Sequence, residues 1–185
     1  MTTQTQLRTV GATVWFTGLP SAGKTTLANA LANRLRAQGR AVELLDGDAV
    51  RPVLSPELGY SRADRDANVA RIGWVASRLA AHGVLVLASV VSPFADARDG
   101  VRAVHRQAAA PFLEIHVATS VQVCAERDVK GLYAKQRTGE LANLTGIDGE
   151  YESPLHPELR IDTADRSVEA AVDDLITLLD KENLL

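Results

Sequence analysis

Eight residues near the amino end, Gly18-Leu19-Pro20-Ser21-Ala22-Gly23-Lys24-Thr25, have the types and spacing of a loop that grips polyphosphate. Glycines at both ends let successive backbone N–H groups curl toward an anion. Lys24 is placed to reach β- and γ-phosphates, and Thr25 offers a hydroxyl to Mg²⁺. An apolar run, Thr13-Val14-Trp15-Phe16-Thr17, precedes the loop. A helical pattern follows it, with Leu27, Ala28, Leu31, Ala32 and Leu35 on one face, so a helix dipole points its positive end at the same anion.

Carboxylates and cations recur where other apolar runs stop. The second run ends in Asp46-Gly47-Asp48-Ala49-Val50-Arg51, and the third runs into Ser92-Pro93-Phe94. Either aspartate could stand near Mg²⁺ or accept the proton of an attacking hydroxyl. Asp-Gly is also common in plain turns, and its place after the second strand of a phosphate-loop fold favours the functional reading. Arg65 and Asn68 are three apart on one helix face and suit an anionic, hydrogen-bonding substrate. From Arg127 to Arg137 the chain carries Arg127, Lys130, Lys135 and Arg137, which fits either a solvated helix face or cations over a transferred phosphoryl group.

The elements that must position these residues follow from periodicity. Strands are expected over 13–17, 41–45, 84–91, 112–118 and 159–161. Helices are expected over 24–38, 61–82, 96–109, 120–127, 132–138 and 167–182. Ser61 with Asp64 three residues on resembles a capping box. Val/Leu-rich strands alternating with helices imply a mostly parallel sheet covered on both faces, with ligands at the strands' carboxyl ends. The run from 129 to 158 reads as a lid and substrate loop, and residues 1–11 as a flexible terminus of one 185-residue domain.

Composition narrows the classes. A net charge of −3 without a long basic run argues against nucleic-acid binding. No stretch is apolar enough to span a membrane, and the first ten residues lack a signal-peptide core, so a cytoplasmic protein is expected. One cysteine, Cys124, reads as a buried thiol. His82, His105, His116 and His156 show no metal-ligand spacing.

Taken together these motifs resemble the adenylyl-sulfate kinase family from about Ala12 to Ile161. The resemblance rests on Val14-Trp15-Phe16-Thr17-Gly18-Leu19, Leu45-Asp46-Gly47-Asp48, Leu58-Gly59-Tyr60-Ser61 with Asp64-Arg65 and Asn68, and Ser92-Pro93-Phe94. It extends to Arg127-Asp128-Val129-Lys130-Gly131-Leu132-Tyr133 and to Leu144-Thr145-Gly146-Ile147-Asp148 followed by Tyr151-Glu152-Ser153-Pro154. It implies an α/β P-loop NTPase fold, a three-layer sandwich with a mostly parallel central sheet and a mobile lid. It implies ATP-dependent phosphorylation of the 3′-hydroxyl of adenosine 5′-phosphosulfate, with Mg²⁺ as cofactor and a homodimer as the assembly. By resemblance, Gly18 through Thr25, with Thr26 and Arg127, hold ATP, and Thr25 meets Mg²⁺. Asp48, helped by Asp46, Lys24 and Ser92, serves catalysis. Arg51, Tyr60, Arg65, Asn68, Ser92, Lys130, Leu144 and Ile147 contact the acceptor.

The chain departs from the family at three places. Ala49 stands where Asn is frequent, Leu144 where an aromatic covers the acceptor adenine, and Ala95 where Arg is frequent. These leave open a related kinase acting on another hydroxyl. An idle nucleotide-binding regulator is a third reading, and the intact Lys24, Thr25, Asp46 and Asp48 argue against it.

Overall fold

The computed structural model describes residues 10–185. Five strands, β1 (Ala12–Thr17), β2 (Val42–Asp46), β3 (Leu85–Ser89), β4 (Phe112–Val117) and β5 (Leu159–Ile161), form one parallel sheet in the order β2-β3-β1-β4-β5. The helices are α1 (Lys24–Ala37), α2 (Gly47–Leu54), α3 (Arg62–Ala81), α4 (Ala95–Gln107), α5 (Val121–Arg127), α6 (Leu132–Arg137) and α7 (Val168–Lys181).

Alternation along β1 builds the layers. Val14 and Phe16 enter a core with Leu27, Leu31, Leu175 and Leu179 from α1 and α7. Trp15, between them, enters a second core with Val69, Ile72 and Val101 from α3 and α4. Both faces of the sheet are therefore dry, which is why its strands read as continuous apolar runs. Removing a side chain as enclosed as Leu31, by substitution to Ala, costs about 2–5 kcal/mol. The α3–α4 contact is close enough to require a glycine. A Cβ at Gly73 would stand 2.5 Å from Val101 Cγ2.

All eleven expected elements are present, with no end moved by more than two residues. The capping box is formed: Ser61 Oγ accepts from Asp64 N at 3.2 Å, and Asp64 Oδ2 accepts from Ser61 N at 3.3 Å. One further helix is present: residues 47–54, to which periodicity assigns no element, form α2. Gly47 and Pro52 oppose a helix on propensity, but Asp46 caps it by accepting from Asp48 N at 3.0 Å. Of the terminus expected to be flexible, residues 1–9 lie outside the described residues, while Gly11 is buried against Ala80 and Gly83. His105 is a core residue, its ring nitrogens 2.8 Å from Val101 O and Thr13 Oγ1. Cys124 is buried, as expected. Among the described residues no helix is long and apolar enough to cross a membrane.

Candidate active site

The phosphate loop joins β1 to α1. Gly18 (φ 151°) and Gly23 (φ 104°) take backbone angles that suit glycine, and a Cβ at Gly18 would meet Val117 O at 2.4 Å. Lys24 bends back over the loop, donating to Gly18 O at 2.9 Å and Leu19 O at 2.8 Å. Burial and the nearby Lys130 ammonium lower the Lys24 pKa from 10.5 to about 8. Phosphate oxygens are the natural replacement for those carbonyls, because they carry a counter-charge that neutral carbonyls do not.

Asp46 joins two parts of the site. Its Oδ1 caps α2, while its Oδ2 accepts the Thr25 hydroxyl at 2.6 Å. A hard, oxygen-only pair at the mouth of a phosphate loop fits Mg²⁺, which keeps several waters and shares substrate phosphates. Among the described residues no group of three or more His, Cys, Asp or Glu side chains could form an all-protein cage. The Thr25–Asp46 pair therefore fits a magnesium held mainly by phosphates and water.

A cleft of about 520 Å³ runs from this mouth toward α3. It brings together Pro20, Ser21, Gly23, Lys24, Thr25, Asp48, Arg51, Tyr60, Arg65, Asn68, Ser92, Arg127, Lys130 and Leu144. Gly18, Ala22, Thr26 and Asp46 support its wall rather than lining it. Leu19 and Ile147 line a second cleft of about 480 Å³ with His116, Tyr151 and Arg160. Ile147 is carried there by the turn after Leu144, in which Ile147 N donates to Leu144 O at 3.0 Å and Gly146 takes φ 90°.

On the acceptor side several expected contacts are already engaged within the protein. Arg65 donates to Tyr60 O at 3.0 Å, Thr145 Oγ1 at 2.9 Å and Asn143 O at 2.8 Å. It ties the start of α3 to the segment carrying Leu144, which is itself buried with Leu19 and Tyr133. Arg51 donates to Gly59 O and lies 4.5 Å over the Tyr60 ring. Asp48 forms an ion pair with Lys130, bridging α2 and the 129–158 segment. Ser92 Oγ accepts from Trp15 Nε1 at 3.0 Å and donates to Val90 O at 3.3 Å, so both hydroxyl functions are in use. Asn68 is different: it is 5% exposed and its Oδ1 is buried with no protein partner. A buried orphan acceptor in a cleft calls for a donor from a ligand.

Sequence reasoning missed three supports. Thr163 Oγ1 lies 2.9 Å from Ala22 O and 2.7 Å from Arg127 Nη1, joining the phosphate loop to α5. Tyr133 donates to Pro20 O at 3.0 Å, and burial raises its hydroxyl pKa. Arg98, on α4, sits under Ser92. Their residue types are ordinary, and only the fold brings them to the loop.

The family model described as adenylylsulphate kinase matches residues 10–162. An adenylyl-sulfate kinase of Synechococcus sp. (strain JA-3-3Ab) is 52% identical over 163 residues, 88% of this chain and 90% of the relative. One from Chloroflexus aurantiacus is 50% identical over 175 residues, 95% of this chain and 92% of the relative. The solved structure of Mycobacterium tuberculosis APS kinase CysC in complex with AMPPNP and APS has a TM-score of 0.89 and 44% identity, covering 92% of this chain and 98% of that one.

Proposed function

The chain belongs to the adenylylsulphate kinase family, and on that premise we propose that it transfers the γ-phosphoryl group of ATP to the 3′-hydroxyl of adenosine 5′-phosphosulfate. The products are ADP and 3′-phosphoadenosine 5′-phosphosulfate. The observation that carries the reading is one cleft holding the phosphate loop, Asp48 and the unpartnered Asn68 Oδ1.

Residue by residue, the site supplies position and charge. The backbone from Gly18 to Thr25 cradles the β- and γ-phosphates, and Lys24 exchanges the Gly18 and Leu19 carbonyls for phosphate oxygens. Thr25 and Asp46 would hold Mg²⁺, which would supply neutralisation of the charge on the transferring phosphoryl group. Arg127 and Thr163 hold the nucleotide side. Arg51, Tyr60, Arg65, Asn68 and Leu144 seat the acceptor. Asp48 leaves Lys130, accepts the 3′-hydroxyl proton and frees the oxygen to attack the γ-phosphorus in line, with ADP as leaving group. Lys130 is then free to follow the transferred charge. The 129–158 segment acts as the lid of this one domain, and Ser92 shapes the floor without carrying the phosphoryl group.

The test is ADP release with adenylyl sulfate, with other hydroxyl acceptors and with none. Acceptor-independent ADP release, or equal rates with unrelated alcohols, would overturn the assignment. We further assign a homodimer in the cytoplasm. Sedimentation equilibrium and cell fractionation check these two points.

A further inference from the structure

Beneath the acceptor pocket lies an arginine that does not itself line the cleft. Arg98, from the first turn of α4, is 3% exposed, and its guanidinium reaches three separate segments. Nε donates to Glu114 Oε1 on β4 at 2.7 Å, Nη1 to Ser92 O after β3 at 2.8 Å, and Nη2 to Glu152 O at 2.7 Å. A buried guanidinium is tolerated only when its charge is paired and its nitrogens are bonded; here Glu114 pairs the charge and each of the three nitrogens has a partner.

Two of those partners lie on the segments that shape the acceptor site, Ser92 lining it and Glu152 farther along the segment that carries Leu144. Ser92, in the pocket floor, holds a left-handed backbone (φ 40°) that a non-glycine residue does not adopt unless its surroundings impose it. Glu152 ends the segment that carries Leu144 and Thr145 over the same pocket. Its N donates to Pro93 O at 2.8 Å, and its Oε2 accepts from Ala95 N at 2.6 Å. One planar fork thus sets the spacing between floor and lid base. Lysine cannot reproduce this, because an ammonium on a flexible stem does not present three donors in that fixed plane.

We propose that Arg98 is a positioning residue for the acceptor. It holds Ser92 in its left-handed conformation and anchors the returning end of the lid to the pocket floor, so its loss loosens adenylyl sulfate binding while sparing the ATP side. The proposal rests on the kinase reading above.

The experiment compares wild type with Arg98→Lys, and with Glu114→Gln in case the first variant does not fold. Each is assayed for KM of both substrates and for the indole N–H resonance of Trp15 in ¹⁵N-tryptophan-labelled protein. Trp74→Phe assigns that signal. Trp15 Nε1 donates to Ser92 Oγ, so its resonance reports the floor without any assay of activity. The expected result is a shifted Trp15 resonance and a KM for adenylyl sulfate raised about tenfold or more, with KM for ATP changed less than about twofold, the scale of one lost charge-assisted hydrogen bond. An unmoved Trp15 resonance, or both KM values changing together with a lowered melting temperature, would show that Arg98 serves only the core. Wild-type protein inactive on adenylyl sulfate would instead sink the kinase reading, while the Trp15 result would still decide whether Arg98 holds Ser92.

Discussion

Thr25 and Asp46 stand 21 residues apart in sequence, yet the threonine hydroxyl donates to the aspartate at 2.6 Å across the mouth of the phosphate loop. β2 lies two strands from β1 in the sheet, so the contact exists only because both strands end at the same edge. Asp46→Asn keeps the cap on α2 but removes a charge facing Mg²⁺. The Mg²⁺ concentration for half-maximal rate is expected to rise about 10- to 100-fold, as for losses around other metal sites. Titrating Mg²⁺ at saturating ATP checks this, and an unchanged midpoint would remove Asp46 from the metal site.

Asp48→Asn retains shape and removes the proposed proton acceptor. A fall in kcat of about 10²-fold or more is expected, with KM values little changed. Single-turnover rates measure it. If only KM moves, Asp48 binds rather than accepts the proton.

Arg65 holds Asn143 and Thr145 as well as facing the cleft. Arg65→Ala should raise KM for adenylyl sulfate about tenfold or more, the loss of at least one charge-assisted hydrogen bond, and leave KM for ATP nearly constant. Steady-state kinetics with each substrate varied in turn would show it. Parallel rises in both KM values would assign Arg65 to the fold of the helix start.

The depressed pKa of Lys24, about 8 in the free protein, makes nucleotide binding pH-dependent. Bound phosphates favour the ammonium, so the complex holds more protons than the free site above pH 8. Affinity for ATP therefore falls as pH rises past that value, by up to about tenfold per unit. Calorimetry at pH 8.5 in buffers of different ionisation enthalpy should reveal proton uptake on binding. Identical heats in every buffer would contradict a lowered pKa.

His116 gives a second pH effect, now on stability. Burial, with Arg160 and Arg98 nearby, lowers its pKa from 6.5 to about 4. The unfolded chain takes up a proton near pH 6.5 that the folded chain refuses until about pH 4. Stability from this source is lost as pH falls through that window. His116→Phe should flatten the decline, as read from melting temperatures between pH 4 and 7. An equally steep decline in the variant would place the acid sensitivity elsewhere.

The parts legible in the sequence were those whose signal is local. The spacing of Gly18, Gly23, Lys24 and Thr25 states its own geometry, and Ser61 with Asp64 announces the start of α3. Helix α2 was hidden because Gly47 and Pro52 speak against it more loudly than the Asp46 cap speaks for it. Arg98 was hidden for another reason. An arginine on an amphipathic helix reads as solvated, and its carboxylate and carbonyl partners lie on segments that only the fold assembles. Arg65 was read as a free contact with substrate, whereas it also fixes the loop that carries Leu144. That dual use depends on a partner 80 residues away in the chain.

The Asp48–Lys130 pair has a consequence for cellular energy. Until an acceptor reaches the cleft, Asp48, the carboxylate proposed to accept its proton, is engaged with Lys130. Water that enters beside bound ATP then meets Asp48 already paired. The pair is exposed and hence weak, so an arriving hydroxyl displaces it at small cost. On the proposed role of Asp48, this pairing restrains futile ATP hydrolysis without a sealed site.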